Sequence, residues 1–251
     1  MKFTDLRSKF LVLASGLGAL SLPISAQPAG TGEGTANVML GTRETARFVR
    51  VQDLDFPALL PPPPPAGSIS AAADLDTVLQ VQSSRTAQDV AWATTIEKDD
   101  VFLNREIVGD WMEASNLPVT AGFFRSLASD LKAVDAASKL PFQRRRPYEV
   151  DARVKPCVSR PASSSYPSGS ALQALVWAEL LSELLPAKRE ALLQRAYRAA
   201  WGRVIGGVHF PSDIEAGRRL AAPFLKACRA SPEFRARFEA VREEFAAVHG
   251  K

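Results

Sequence analysis

The sequence Gly202-Arg-Val-Ile-Gly-Gly-Val-His-Phe-Pro-Ser-Asp213 sets Arg203, His209 and Asp213 at a joint between two helical patterns. Upstream, Leu192/Leu193, Ala196/Tyr197, Ala200/Trp201 and Val204/Ile205 recur every four residues, the stripe of an amphipathic helix that Gly206-Gly207 would end. Downstream, Ser212 stands three residues before Glu215, a capping-box spacing. It predicts a helix that buries Ile214, Leu220, Ala221, Phe224 and Cys228. His209 and His249 are the only histidines, and His249 lies at the C-terminus, so imidazole chemistry falls to His209. Asp213 follows one helical turn later, where a carboxylate can orient one ring nitrogen and leave the other free.

Working outward, the rest of the chain also reads as helix. Residues 72–96 and 98–114 mix apolar and charged positions without internal proline, and 119–138 place Phe123, Phe124, Leu127 and Leu131 on one side. Ala171–Leu185 forms another helix. Ser231-Pro232 opens the last one, with Phe234, Phe238, Val241, Phe245 and Val248 on a face. Prolines and serines crowd residues 140–168, which predicts a long loop of the kind that carries function. No stretch alternates with a strand period, so the expectation is an all-α, single-domain helical bundle. Five consecutive prolines, Pro61–Pro65, are extended and suit a spacer or a polyproline II run laid over a surface.

The N-terminus has another purpose. Lys2, Arg7 and Lys9 precede an apolar run from Phe10 to Leu22, and Ile24-Ser25-Ala26 resembles a cleavage site. Residues 1–26 therefore read as a signal peptide, with an uncleaved anchor as the alternative, and 27–57 as a loosely ordered segment before a domain at 58–249. Without residues 1–26 the formal charge falls from +4 to +2. That mild balance points to neither nucleic acid nor membrane as a partner. The expected product is periplasmic or secreted. Cys157 and Cys228 then sit in an oxidising compartment, which allows a disulfide, with two free thiols as the alternative. The chain lacks the Cys and His clusters of a zinc site, and no metal or other cofactor is expected.

Three segments carry the chemistry: Lys139-Leu-Pro-Phe-Gln-Arg-Arg-Arg146-Pro147, Ser165-Tyr-Pro-Ser-Gly-Ser170, and the opening stretch. A phosphate dianion needs several fixed positive donors, which Lys139, Arg146 and Arg203 can supply. Ser168 and the Gly169 amide fall at a helix N-terminus, where free N–H groups favour an anion. Arg144 and Arg145 read as surface charge or a steering patch, and Tyr166, Trp201 and Phe210 as packing.

The trio resembles the signature of the phosphatidic-acid-phosphatase type 2 superfamily: Lys, six residues, Arg-Pro; then Pro-Ser-Gly-His; then Ser-Arg, five residues, His, three residues, Asp. The similarity is closest to the secreted class A bacterial nonspecific acid phosphatases. It extends to the Leu-Leu-Pro-Pro-Pro segment and the closing Pro-Glu-Phe helix, roughly residues 58–249. The resemblance implies the helical bundle shared by acid phosphatases and vanadium haloperoxidases. It also implies metal-free in-line attack by His209 on a small phosphorylated substrate, a phosphohistidine intermediate, and Asp213 holding the His209 tautomer. Relatives form homo-oligomers, and an amphipathic last helix fits either that or docking on its own core.

The chain departs from the pattern at two positions. Gly202 replaces serine, and Ser170 replaces the histidine that the resemblance makes the general acid. A serine hydroxyl is far too weak an acid for that task; with Gln173 it fits a capping box instead. The expectation is a phosphomonoesterase weakened or restricted to good leaving groups. The alternative is a pseudoenzyme that binds phosphate or a phosphorylated ligand. Glu149 or Asp151 would be candidates for a substitute acid.

Overall fold

The computed structural model describes residues 47–249; the expected signal peptide at 1–26 and most of the segment at 27–57 lie outside them. The described residues are helical and contain no strand. The longer helices are α1 (Ile69–Ser84), α2 (Ala87–Thr95), α3 (Pro118–Lys139), α4 (Gly169–Leu184), α5 (Arg189–Ile205), α6 (Pro211–Ala230) and α7 (Pro232–His249).

At the centre is α4. It buries Leu172, Val176, Trp177, Leu180 and Leu181 on several sides, the pattern of a helix enclosed all round. Packed against it are α5, α6 and α3, and α7 closes over α3. The apolar face of α7 is therefore spent on the chain's own core. Phe234 sits 5.3 Å from Phe123 and 5.5 Å from Phe48, ring centroid to centroid. Burying each such ring contributes about 1.5–3 kcal/mol.

Local signals explain where the expected boundaries moved. The helix predicted over 72–96 splits because Thr86 and Asp89 form a capping box: Asp89 N–H donates to Thr86 Oγ1 at 3.2 Å, and Thr86 N–H to Asp89 at 2.8 Å. Residues 98–114 hold only single turns, since Asp100 caps one at Phe102 N (2.7 Å) and Gly109 turns the chain away at φ 128°. Residues 140–168 do form the expected loop, apart from one turn at Pro147–Val150. The expected cap on α6 is corrected. Asp213, not Ser212 with Glu215, accepts the Phe210 N–H at 2.8 Å, while Ser212 bonds Asp74.

The chain from Arg47 to Pro57 is packed rather than loose. Phe48, Val49 and Phe56 are buried, and the N–H groups of Arg47 and Phe48 donate to buried Asp130 of α3 at 2.5 and 2.7 Å. The proline run is anchored as well, because the Tyr166 hydroxyl donates to the Pro61 carbonyl. Of the two readings of the cysteines the structure has the free thiols: Cys157 and Cys228 are not bonded. Cys157 faces the Ile205 carbonyl beside the end of α5, whereas Cys228 is buried 17 residues into α6. That is about 25 Å of helix, far beyond disulfide reach.

Among the described residues, no helix is long and apolar enough to cross a membrane.

Candidate active site

The joint between α5 and α6 forms one wall of a cavity of about 350 Å³, which opens between α3, α4 and α5. Helix α5 ends where Gly207 adopts φ 74°, the left-handed conformation that lets the chain turn toward α6. Gly217 of α6 lets that helix cross close to α4, since a Cβ there would lie 2.1 Å from the Ser168 carbonyl. Gly202, the first departure from the expected pattern, is explained by packing: a Cβ there would meet Ile96 Cδ1 at 2.6 Å.

His209 is buried with each ring nitrogen assigned a neighbour. Nδ1 faces Asp213 Oδ2 at 3.3 Å, and Nε2 faces Arg146 Nη1 at 3.2 Å. Burial and the nearby Arg146 and Lys139 charges outweigh Asp213 and push its pKa down to about 3. The ring is therefore a neutral imidazole with Nδ1–H directed at Asp213 and the Nε2 lone pair facing Arg146 Nη1 at the edge of the cavity.

Asp213 is fully enclosed. It accepts from Ser165 Oγ (2.5 Å), Phe210 N (2.8 Å), His209 Nδ1 (3.3 Å) and Arg144 Nη1 (2.7 Å). Burial works against its charge, but the bonds from His209, Arg144 and Ser165 prevail and hold its carboxyl below the usual range. Arg144 is thus not surface charge. Its other arm bonds Asp74 of α1 at 2.8 Å, and its guanidinium lies 4.1 Å over the Phe210 ring. The run of three arginines hid this role; only Arg145 is exposed as expected.

Four cations line the cavity: Lys132, which is exposed, and Lys139, Arg146 and Arg203, which are buried. Arg146 is fastened by the carbonyls of Ser163 and Val208, each at 2.7 Å. Lys139 Nζ donates to Asp135 Oδ1 at 2.6 Å and to the Pro167 carbonyl. Burial lowers its pKa, and Asp135 offsets part of that. Arg203 differs from both: it is 5% exposed, yet its Nε and Nη1 have no hydrogen-bond partner. Buried donors left unpaired cost about 1–3 kcal/mol each, more when charged, so they mark where an anion would be held.

The serines separate. Ser168 is fully buried, and its Oγ accepts from Ala171 N at 3.3 Å, so Ser168 caps α4 and does not line the cavity. Ser170 does line it and caps nothing; Gln173 turns instead to the Asp99 carbonyl at 2.7 Å. Gly169 lines it too, and a Cβ there would lie 2.2 Å from Asp135 Oδ1. Glu149 and Asp151 lie outside the cavity, tied to Arg146 N (2.6 Å) and Arg153 (2.7 Å). Tyr166 and Phe210 are buried packing, whereas Trp201 is 39% exposed.

Sequence reasoning missed Arg144, Asp74, Ser165 and Asp135. Only Asp135 left a signal, an Asp four residues before Lys139 on one helix face.

The PAP2 superfamily pattern matches residues 121–237, a span that contains Lys139, Arg146, Ser170, Arg203 and His209. The chain is 29% identical over 211 residues to a non-specific acid phosphatase of Providencia stuartii, covering 78% of this chain and 82% of that protein. It is 26% identical over 193 residues to a non-specific acid phosphatase of Salmonella typhimurium (72% and 77% covered). It is 27% identical over 198 residues to an acid phosphatase of Zymomonas mobilis (74% and 73% covered).

Proposed function

Because the chain carries a PAP2 superfamily domain, we propose that it is a phosphomonoesterase in which His209 is the nucleophile. The observation that carries this reading is the pair of unpartnered Arg203 donors in the cavity that also takes in neutral His209. A phosphate monoester bound there supplies the acceptors that Arg203 lacks, and Lys139 and Arg146 share its remaining charge. The Gly169 amide, at the start of α4, adds a donor where the helix dipole favours an anion.

His209 Nε2 attacks phosphorus in line, the bond to the leaving oxygen breaks, and the Nδ1 proton stays on the ring, donated to Asp213. The Asp213 carboxylate stabilises the positive charge that develops on the phosphorylated ring. Water then attacks phosphorus, the N–P bond breaks, and Nε2 regains its lone pair. Positioning and charge neutralisation supply most of the rate, and no step calls on a metal. Ser170 cannot protonate the leaving oxygen. On that residue alone the enzyme would be confined to good leaving groups, such as aryl phosphates.

The N-terminal basic and apolar run supports export to the periplasm or medium. Small phosphorylated molecules are the substrate class.

Rapid-quench mass spectrometry during p-nitrophenyl phosphate turnover should find one phosphoryl group on the peptide containing His209. His209→Ala should lose that adduct and at least about 10⁴-fold in kcat. Phosphate binding by calorimetry with no turnover in the unaltered protein would favour the binding-only pseudoenzyme instead.

A further inference from the structure

We infer that Asp135 is the proton donor to the leaving oxygen, replacing the imidazole missing at position 170. The inference rests on the phosphatase reading above. An alkoxide leaves slowly unless it is protonated as the bond to phosphorus breaks, and the cavity holds no second imidazole. His249 meets Trp111 edge to face at the end of α7, with ring centroids 5.4 Å apart.

Three carboxylates line the cavity: Glu97, Asp99 and Asp135. Asp99 is held by Arg195 at 3.0 Å, eight residues and so about 12 Å before Arg203 along α5. Glu97 is bound by Ser159, through its N–H at 3.1 Å and its hydroxyl. Glu97 also bears on the Arg203 charge, but of the three only Asp135 is hydrogen-bonded to a proposed phosphate clamp. It bonds Lys139, a phosphate clamp, and lies where a side chain on Gly169 would stand, beside Ser170. Its side chain is 29% exposed, against 5% for Lys139, so a ligand in the cavity can reach it.

Position and charge act together. As Lys139 turns from Asp135 to the bound phosphoryl group, a monoanionic phosphate ester passes its one proton from a phosphoryl oxygen to the Asp135 carboxylate. As His209 Nε2 forms its bond to phosphorus, the P–O bond breaks and the Asp135 proton passes to the leaving oxygen, giving the alcohol. In the second step the Asp135 carboxylate takes a proton from the attacking water while the N–P bond breaks. The proton then passes from Asp135 to the departing phosphate, which leaves as the monoanion, and both side chains return to their starting states.

The test compares leaving groups. The unaltered enzyme should hydrolyse both glycerol phosphate and p-nitrophenyl phosphate. Asp135→Asn should lower kcat/KM for glycerol phosphate by about 10²–10⁴-fold. It should lower that for p-nitrophenyl phosphate, whose phenolate needs no proton, by less than about tenfold. The retained aryl activity also shows that the variant folds. Equal losses on both substrates, or no loss, would overturn the assignment. So would an unaltered enzyme inert toward glycerol phosphate, or the selective loss appearing in Glu97→Gln instead. A different result, aryl turnover that survives His209→Ala, would defeat the phosphatase reading itself.

Discussion

The two walls of the cavity are built in opposite ways. On the wall around His209 and Asp213 the polar groups are matched: Asp213 has four donors, and Arg144 bridges it to Asp74. The open wall takes in Arg203 from the last turn of α5, with two unpartnered donors, an uncommitted Ser170, and Lys139 paired to an accessible carboxylate. A matched wall fixes one geometry and contributes to folding. A wall with orphaned donors costs stability in the free protein, and that cost is relieved when an anion binds. The difference separates positioning of the nucleophile from capture of the substrate.

The largest test of this contrast removes the orphaned cation. Arg203→Met should lower kcat/KM on p-nitrophenyl phosphate by about 10³-fold, since a fixed guanidinium at a transferring phosphoryl group is worth several kcal/mol. The same variant should melt no lower than the unaltered protein without phosphate, because a buried charge without a partner has been replaced by a packed side chain. The rise in Tm on adding phosphate should shrink sharply, as calorimetric scans would show. A large fall in Tm without phosphate would mean that Arg203 is paired in the free protein, and the contrast would fail.

Arg144→Gln attacks the matched wall and should behave in reverse. It leaves the Asp213 and Asp74 carboxylates buried with one donor fewer, at a cost of about 3–5 kcal/mol in urea unfolding. Activity should fall only about 10–10²-fold, mainly in kcat, because His209 still has Asp213 but is held less firmly. KM should change little, since Arg144 bonds Asp74, Ser212 and Asp213 and faces away from the cavity.

These walls were unequally legible in the sequence. The four-residue stripe of α5, the proline start of α7, and the glycine stop after α5 all arise from neighbours along the chain. They appeared nearly where the sequence puts them. His209 with Asp213 was legible for the same reason, being one helical turn apart. Arg144 was not, because its value comes from Asp74, 70 residues away on α1. The split between α1 and α2 was readable from Thr86 and Asp89 but was masked by a continuous apolar pattern. Both Ser168 and Ser170 read as caps of α4, and the structure gives the cap to Ser168, a two-residue exchange of the kind helix ends invite.

That exchange gives the smallest effect and the cleanest separation. Ser168 closes the matched wall: its N–H donates to the Asp213 carbonyl at 2.9 Å, and its hydroxyl caps α4. Ser170, two residues on, faces the cavity and holds no cap. Ser168→Ala should therefore cost about 1 kcal/mol in unfolding free energy, the usual loss of a serine cap. Ser170→Ala should leave stability within about 0.5 kcal/mol, as surface substitutions do. Its effect on kcat/KM should stay within about threefold for aryl and alkyl phosphates alike, because a hydroxyl that cannot give up a proton contributes at most one hydrogen bond to a neutral acceptor. If Ser170→Ala instead abolished glycerol phosphate hydrolysis and spared p-nitrophenyl phosphate, the proton would be relayed through the serine. The open wall would then carry part of the chemistry that Asp135 is assigned.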